Sequence, residues 1–287
     1  QNEKICIDEI KGVYKNLELL AEPVLVHRAQ ALCYAWIYLD DHGLEEIDVQ
    51  MTYVHLDTEM IKRFRETMTR EELESWYQRL LDSYHKWLSY QMKWREERNR
   101  SMEKLEFPFI YRKGQKEMVA GIYHAISRKE QIFIQAPTGV GKTMSAVFPA
   151  VRSIGEGKAE TLFYLTARTI TRTVAQDAFE ILRKNGLLFK TVTITAKEKL
   201  CFCEKPECNP ETCPYAKGHY DRINDAVYEL WTNEQSFDRE TILRQAEKWQ
   251  VCPFEMSLDL SVWMDAVICD YNYVFDPNVY LKRFFGE

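Results

Sequence analysis

The stretch "QIFIQAPTGVGKTMSAVF" (131–148) constrains the fold more than any other part of this chain. An apolar run of strand type, "QIFIQ" (131–135), leads into a loop with two glycines, and helix formers follow Lys142. The pattern comes close to the Walker A form G-x-x-x-x-G-K-[ST], with Ala136 standing where the first glycine would be. Gly139 and Gly141 allow backbone N–H groups to approach phosphate oxygens, and the following helix adds its positive N-terminal end. Lys142 would reach the β- and γ-phosphates and Thr143 would ligate Mg²⁺, with Thr138 and Val140 completing a cradle for ATP-Mg. Such a loop works between a strand and a helix, so an α/β fold with a parallel sheet is expected around it.

The downstream sequence agrees. A helix is expected at about 113–127, strands at 161–166 and 190–195, and a helix between those strands to about Arg183. Helices near 219–232 and 238–249 and a buried strand within 265–275 continue the alternation, which implies right-handed crossovers. Ahead of "EFPF" (106–109), where a domain boundary is expected, the sequence is of another kind. Residues 4–11 alternate as a strand with a kink or face change near Asp8. Residues 26–39 read as an amphipathic helix and 47–55 as a second strand. From Glu59 to about Lys104 a charged helix is expected, with Thr69 and Glu72 spaced as a capping box. Trp76, Leu80, Trp87, Tyr90 and Trp94 form its apolar stripe; Lys93, Arg95, Arg98 and Arg100 read as its solvated face. The expected domains are 1–58, a helical linker over 59–106, and 107–287 with an insertion at about 197–255.

A net charge of −6 argues against a bulk electrostatic nucleic-acid binder and leaves room for a local basic groove. No run approaches the roughly 18 apolar residues of a membrane helix, so no membrane partner is expected. "QNEKICIDEIKG" is no secretory signal. A cytoplasmic, reducing location is therefore expected, and disulfides are not. A chain that opens without Met and straight into a strand reads as part of a longer protein.

Four of the eight cysteines, Cys201, Cys203, Cys208 and Cys213, fall in "KLCFCEKPECNPETCP". Cys252 follows in "VCPFEMS", while Cys6, Cys33 and Cys269 sit on apolar faces as small hydrophobes. The spacing favours a metal centre, and with His219 the one well-placed histidine it favours all-cysteine ligation. Spacing alone leaves iron–sulfur and zinc both open.

The order of these motifs resembles the XPD/DinG family of iron–sulfur superfamily 2 helicases. "APTGVGKT" is similar to motif I. Arg112 and Gln115 in "YRKGQKEM" resemble the R-x-x-Q element near the adenine. "YLTARTITRT", with Arg168 and Thr169, resembles motif Ia, which touches the DNA backbone. The resemblance implies a RecA-like P-loop domain with a 4Fe–4S cluster on Cys201, Cys208, Cys213 and Cys252. Cys203 is left over, and the choice between Cys201 and Cys203 stays open. The implied activity is that of the N-terminal part of an ATP-dependent helicase, moving 5′ to 3′ on single-stranded or forked DNA in repair. Tyr215, Tyr220 and Phe254 suit either base stacking or packing in a core. No DEAH box occurs in the sequence, so this stretch alone is expected to bind nucleotide weakly and to be inactive as a helicase. The alternative is a non-catalytic, zinc-stabilised nucleotide- or DNA-binding module.

Upstream, Glu9 and Lys11 in "IDEIKG", followed by Gln30 and Tyr34 on a helix, resemble the recB- and Cas4-like branches of the PD-(D/E)xK nucleases. There the carboxylate binds a divalent metal and the lysine polarises water. The family's further Asp, on a preceding strand, is not in this sequence, so a partial, inactive nuclease-like domain is expected.

Overall fold

The computed structural model describes residues 5–14, 16–167, 169–204 and 207–286. The chain divides into two compact units, 1–89 and 90–287.

In the first unit, β1 (Cys6–Val13) and β2 (Glu46–His55) lie parallel on either side of a crossover through α1 (Leu25–Asp41). Their register is unbroken from Cys6↔Asp48 to Val13↔His55, so the expected kink near Asp8 is absent. Ile47, Val49, Met51 and Tyr53 all point to one side of β2 and bury against Ala31, Leu32, Ala35 and Leu39 of α1. Cys6 lies on the opposite, polar side, near Arg65 and Asp48, rather than on an apolar face.

The helix expected from Glu59 is corrected by β3 (Ile61–Thr69), which pairs antiparallel with β2. Lys62, Phe64, Glu66 and Met68 are half-buried and alternate with exposed neighbours. That period of two outweighs the mixed charge that suggests a helix. The helix α2 (Arg70–Glu103) starts only where β3 ends. Its capping box is formed: Thr69 N donates to Glu72 Oε2 at 2.9 Å, and Glu72 N donates to Thr69 Oγ1 at 3.3 Å.

The second unit contains α3 (Gln115–Arg128), α4 (Lys142–Gly155), β4 (Leu162–Thr166), α5 (Thr169–Lys184) and β5 (Thr191–Thr193). It continues with α6 (Lys197–Leu200), α7 (His219–Asn233), β6 (Ser236–Phe237), α8 (Arg239–Trp249), α9 (Pro253–Ser261) and β7 (Ala266–Asp270). Two single turns, α10 (Asn272–Phe275) and α11 (Lys282–Phe285), follow. The sheet has the order β4-β7-β5-β6 and is parallel throughout. Its core packs Val151 of α4 and Phe179 and Leu182 of α5 against Ala266 and Ile268 of β7.

The strand expected at 131–135 does not form. The segment stands outside the sheet, with Phe133 95% exposed. An apolar run becomes a strand only when a neighbour takes its backbone hydrogen bonds. Arg98 also departs from expectation: instead of facing solvent it is buried, on the same helical stripe as Trp94 and Met102. Among the described residues, no helix is long and apolar enough to cross a membrane.

Candidate nucleotide and cysteine sites

The glycine loop ends on the N-terminus of α4, with Gly141 as its cap and Lys142 as the first helical residue. Gly139 (φ 84°) and Gly141 (φ 78°) both adopt the left-handed backbone that glycine takes without strain. Gly141 is also crowded: a Cβ there would lie 2.7 Å from Gln115 Nε2. Gln115 is buried, and its Oε1 accepts from the Arg112 backbone N–H at 3.0 Å. The Arg112 guanidinium donates to the Gly139 carbonyl. Arg112 and Gln115 therefore meet the loop from which they are separated by more than twenty residues of sequence. Lys142 Nζ donates to the carbonyls of Ala136 (3.0 Å) and Pro137 (2.8 Å), spanning its own loop. Thr143 is half-buried on the first turn of α4, Val140 is half-buried, and Thr138 is exposed. A cavity of about 310 Å³ opens beside the loop, lined by Lys113, Gln115, Ile134 and Val140. A helix N-terminus, an ammonium and left-handed glycines together make an anion site suited to a polyphosphate.

Of the pair expected to contact DNA, Arg168 lies outside the described residues, and Thr169 is the first residue of α5. Nearby, Arg172 pairs with Asp270, tying α5 to the end of β7. Sequence reading did not single out this pair.

All five cysteines between 201 and 252 line one cavity of about 300 Å³, with Phe202, Tyr215 and Phe254 in its walls. Cys203 is among them, and its Sγ lies 3.9 Å from that of Cys213. Burial, then the contacts with Cys213 and Cys201, push the Cys203 thiol up to about 11. Lys197 of α6, also unmarked in the sequence, hydrogen-bonds Cys208, which raises the lysine above its ordinary value. Cys252 caps α9; burial raises its thiol, and its backbone N–H donates to Nδ1 of the buried His219 at 3.2 Å. Burial holds the His219 imidazole below the usual range. The donor set, five thiols around one cavity, suits a thiolate-held metal. Yet among the described residues no group of three or more His, Cys, Asp or Glu is drawn together closely enough to hold a metal ion.

In the first unit, β1 presents Glu9 and Lys11 on its α1 side, and the four residues singled out there do meet. Lys11 Nζ lies 2.8 Å from Glu9 Oε1 and donates to Gln30 Oε1 at 2.9 Å. Gln30 Nε2 in turn donates to the Tyr34 hydroxyl at 3.1 Å.

Comparison with known proteins bears on the second unit above all. Residues 112–208 match the DEAD/DEAH box helicase family, and 183–283 match the family DEAD_2. The regulator of telomere elongation helicase 1 homolog of Caenorhabditis briggsae is 22% identical over 62% of this chain and 22% of its own length. Its Caenorhabditis elegans counterpart is 22% identical over 61% of the chain and 22% of its own length. A probable ATP-dependent helicase of Methanocaldococcus jannaschii is 43% identical over 49 residues, 17% of this chain and 7% of that protein. A solved structure titled truncated XPD aligns over 61% of this chain and 48% of its own, with 16% identity and a TM-score of 0.38. The chain thus spans about a fifth of the length of the first two relatives. The DEAD/DEAH box match supports a helicase over residues 112–208, and the overlapping DEAD_2 match carries the similarity on to residue 283. The two Caenorhabditis relatives, at 22% identity, are likewise named as helicases.

Proposed function

We propose that this chain is the front portion of an ATP-dependent DNA helicase of the iron–sulfur XPD/DinG type. The observation that carries the reading is the nucleotide loop: Arg112 and Gln115 brace Gly139 and Gly141, while Lys142 and Thr143 open the helix behind them. With ATP-Mg bound, Lys142 would exchange the Ala136 and Pro137 carbonyls for β- and γ-phosphate oxygens, and Thr143 would be the residue to hold the Mg²⁺. Arg168 and Thr169 contact the backbone of single-stranded or forked DNA, with translocation 5′ to 3′ in repair, in the cytoplasm. Cys201, Cys208, Cys213 and Cys252 would hold the 4Fe–4S cluster, with Cys203 as the competing choice for Cys201. The cluster, when bound, supplies a cross-link between the 201–213 loop and α9. Glu9 and Lys11 form a nuclease-like, metal-binding edge on the first unit, braced by Gln30 and Tyr34.

Two measurements test this. Lys142→Ala removes a charge-assisted contact of about 1.5–3 kcal/mol, so Mg-ATP affinity of this chain should fall roughly ten- to a hundredfold by fluorescent-nucleotide titration. Unchanged affinity would remove the loop from the nucleotide site. Anaerobically purified protein should be brown and contain iron. Colourless protein with one zinc would replace the cluster by a zinc-stabilised module.

A further inference from the structure

Cys203 is one thiol more than a four-ligand site needs, and the structure gives it a partner. Its Sγ lies 3.9 Å from Cys213 Sγ, so a disulfide of about 2.05 Å requires closing by about 1.9 Å. Cys213 is the fixed member. Its N–H donates to the Asn209 carbonyl at 3.0 Å, and its own carbonyl accepts from Ala216 and Lys217 at 3.1 Å each. The Asn209 side chain holds the same turn by accepting from Glu211 N and Thr212 N. Cys203 sits in a bend outside any helix or strand and is partly exposed on an open cavity. Of the remaining thiols, Cys201 also touches Cys203. Cys208 is engaged by Lys197 on the Cys252 side. Cys201 is only two residues from Cys203, a separation that makes a small, strained ring.

We infer that Cys203 and Cys213 form a reversible disulfide when the cavity holds no metal, which makes Cys203 a guard thiol for Cys213. Oxidised glutathione, a low-molecular-weight disulfide, is a sufficient oxidant. One protein thiolate attacks a glutathione sulfur and releases one glutathione thiol. The second protein thiolate then attacks the mixed disulfide and releases the other. Two protein thiols and one small disulfide become one protein disulfide and two small thiols, so protons and electrons balance. The product locks Cys213 out of metal ligation without advancing to sulfinic acid, and a dithiol reverses it. Only this consequence for metal binding rests on the function proposed above; the disulfide itself does not.

The test uses the chain stripped of metal by a chelator, incubated with oxidised glutathione, alkylated and digested for mass spectrometry. The expected result is one intramolecular disulfide joining Cys203 to Cys213, with Cys208 and Cys252 alkylated, reversed by dithiothreitol. Cys203→Ser should show no intramolecular disulfide and carry a glutathione adduct on Cys213 instead. The oxidised chain should not take up iron or zinc until reduced. A Cys208–Cys252 disulfide, a scrambled mixture, or five thiols still open to alkylation would overturn the inference. Metal analysis before stripping is read separately: a chain without iron or zinc defeats the metal-site reading and leaves the disulfide result standing on its own.

Discussion

Asp265 is a buried carboxylate with three donors: Arg98 Nη1 at 2.5 Å, Trp94 Nε1 at 3.0 Å and the Lys190 backbone N–H at 2.7 Å. Beside it, the Lys190 side chain is 1% exposed. Its ammonium donates to the carbonyls of Trp231 (2.5 Å) and Glu234 (2.6 Å) and lies 4.2 Å from the Trp94 ring centroid. Burial nevertheless wins: it pulls Lys190 down to about 8, against the opposing pull of Asp265. A lysine whose value is lower when folded than when unfolded binds fewer protons in the native state between the two values. Its contribution to stability therefore rises with pH from about 8 to about 10.5, by about 3 kcal/mol in all. The stability of the wild type relative to Lys190→Met, followed by urea unfolding from pH 7 to 11, should climb over that window. A difference flat with pH would mean that Lys190 titrates like an exposed lysine. None of this network is visible in sequence, because its members, Trp94, Arg98, Lys190 and Asp265, meet only once the last turns of α2 reach the residues that lead into β5 and β7.

Elements carry the next level, and α4 with its loop is the most constrained of them. Gly141 answers to two demands at once, a left-handed φ of 78° and a missing Cβ where Gln115 Nε2 would stand 2.7 Å away. Gly157 answers to only one, a φ of 70° with nothing within 4 Å. Gly157→Ala should cost only the backbone strain, about 1–2 kcal/mol, and leave Mg-ATP affinity alone. Gly141→Ala should add to that strain a displaced Gln115 and a loss of nucleotide affinity. Denaturant midpoints together with nucleotide titrations check both variants, and equal nucleotide affinity in the two would separate Gln115 from the site. The loop, like the Thr69–Glu72 cap, could be read from sequence because its determinants lie within a few residues of each other. β3 could not, since Lys62 and Glu66 on its half-buried face and the exposed Ile61 break the apolar–polar alternation that marks a strand. The segment 131–135 fails for the opposite reason: its residues suit a strand, but pairing depends on a neighbour that local sequence does not name.

At the scale of the whole molecule, the cysteine site is a product of the fold more than of the motif. Thirty-eight residues separate Cys213 from Cys252, so spacing alone could not join them, and only the family resemblance pointed across the gap. The structure supplies the physical means. Helices α7 and α8 carry the chain out and back, and Arg222 of α7 closes the loop. Its Nε donates to the Trp249 carbonyl at 2.9 Å, and its Nη2 donates to the carbonyls of Gln250 (2.6 Å) and Lys217 (2.8 Å). One guanidinium thus fastens the segment just after Cys213 to the segment just before Cys252, and His219 holds the Cys252 backbone. A metal that bridges the two segments gains from this pre-organisation, because less chain entropy is lost on binding than in an isolated loop. Cys252→Ser should therefore lower metal per chain as far as Cys208→Ser does. Arg222→Met, which leaves every thiol in place, should speed metal loss to a chelator without changing Mg-ATP affinity. If Cys252→Ser keeps its full metal content while substitutions among Cys201, Cys203, Cys208 and Cys213 empty the site, the centre is local to the 201–213 loop, and neither Arg222 nor α9 takes part in holding it.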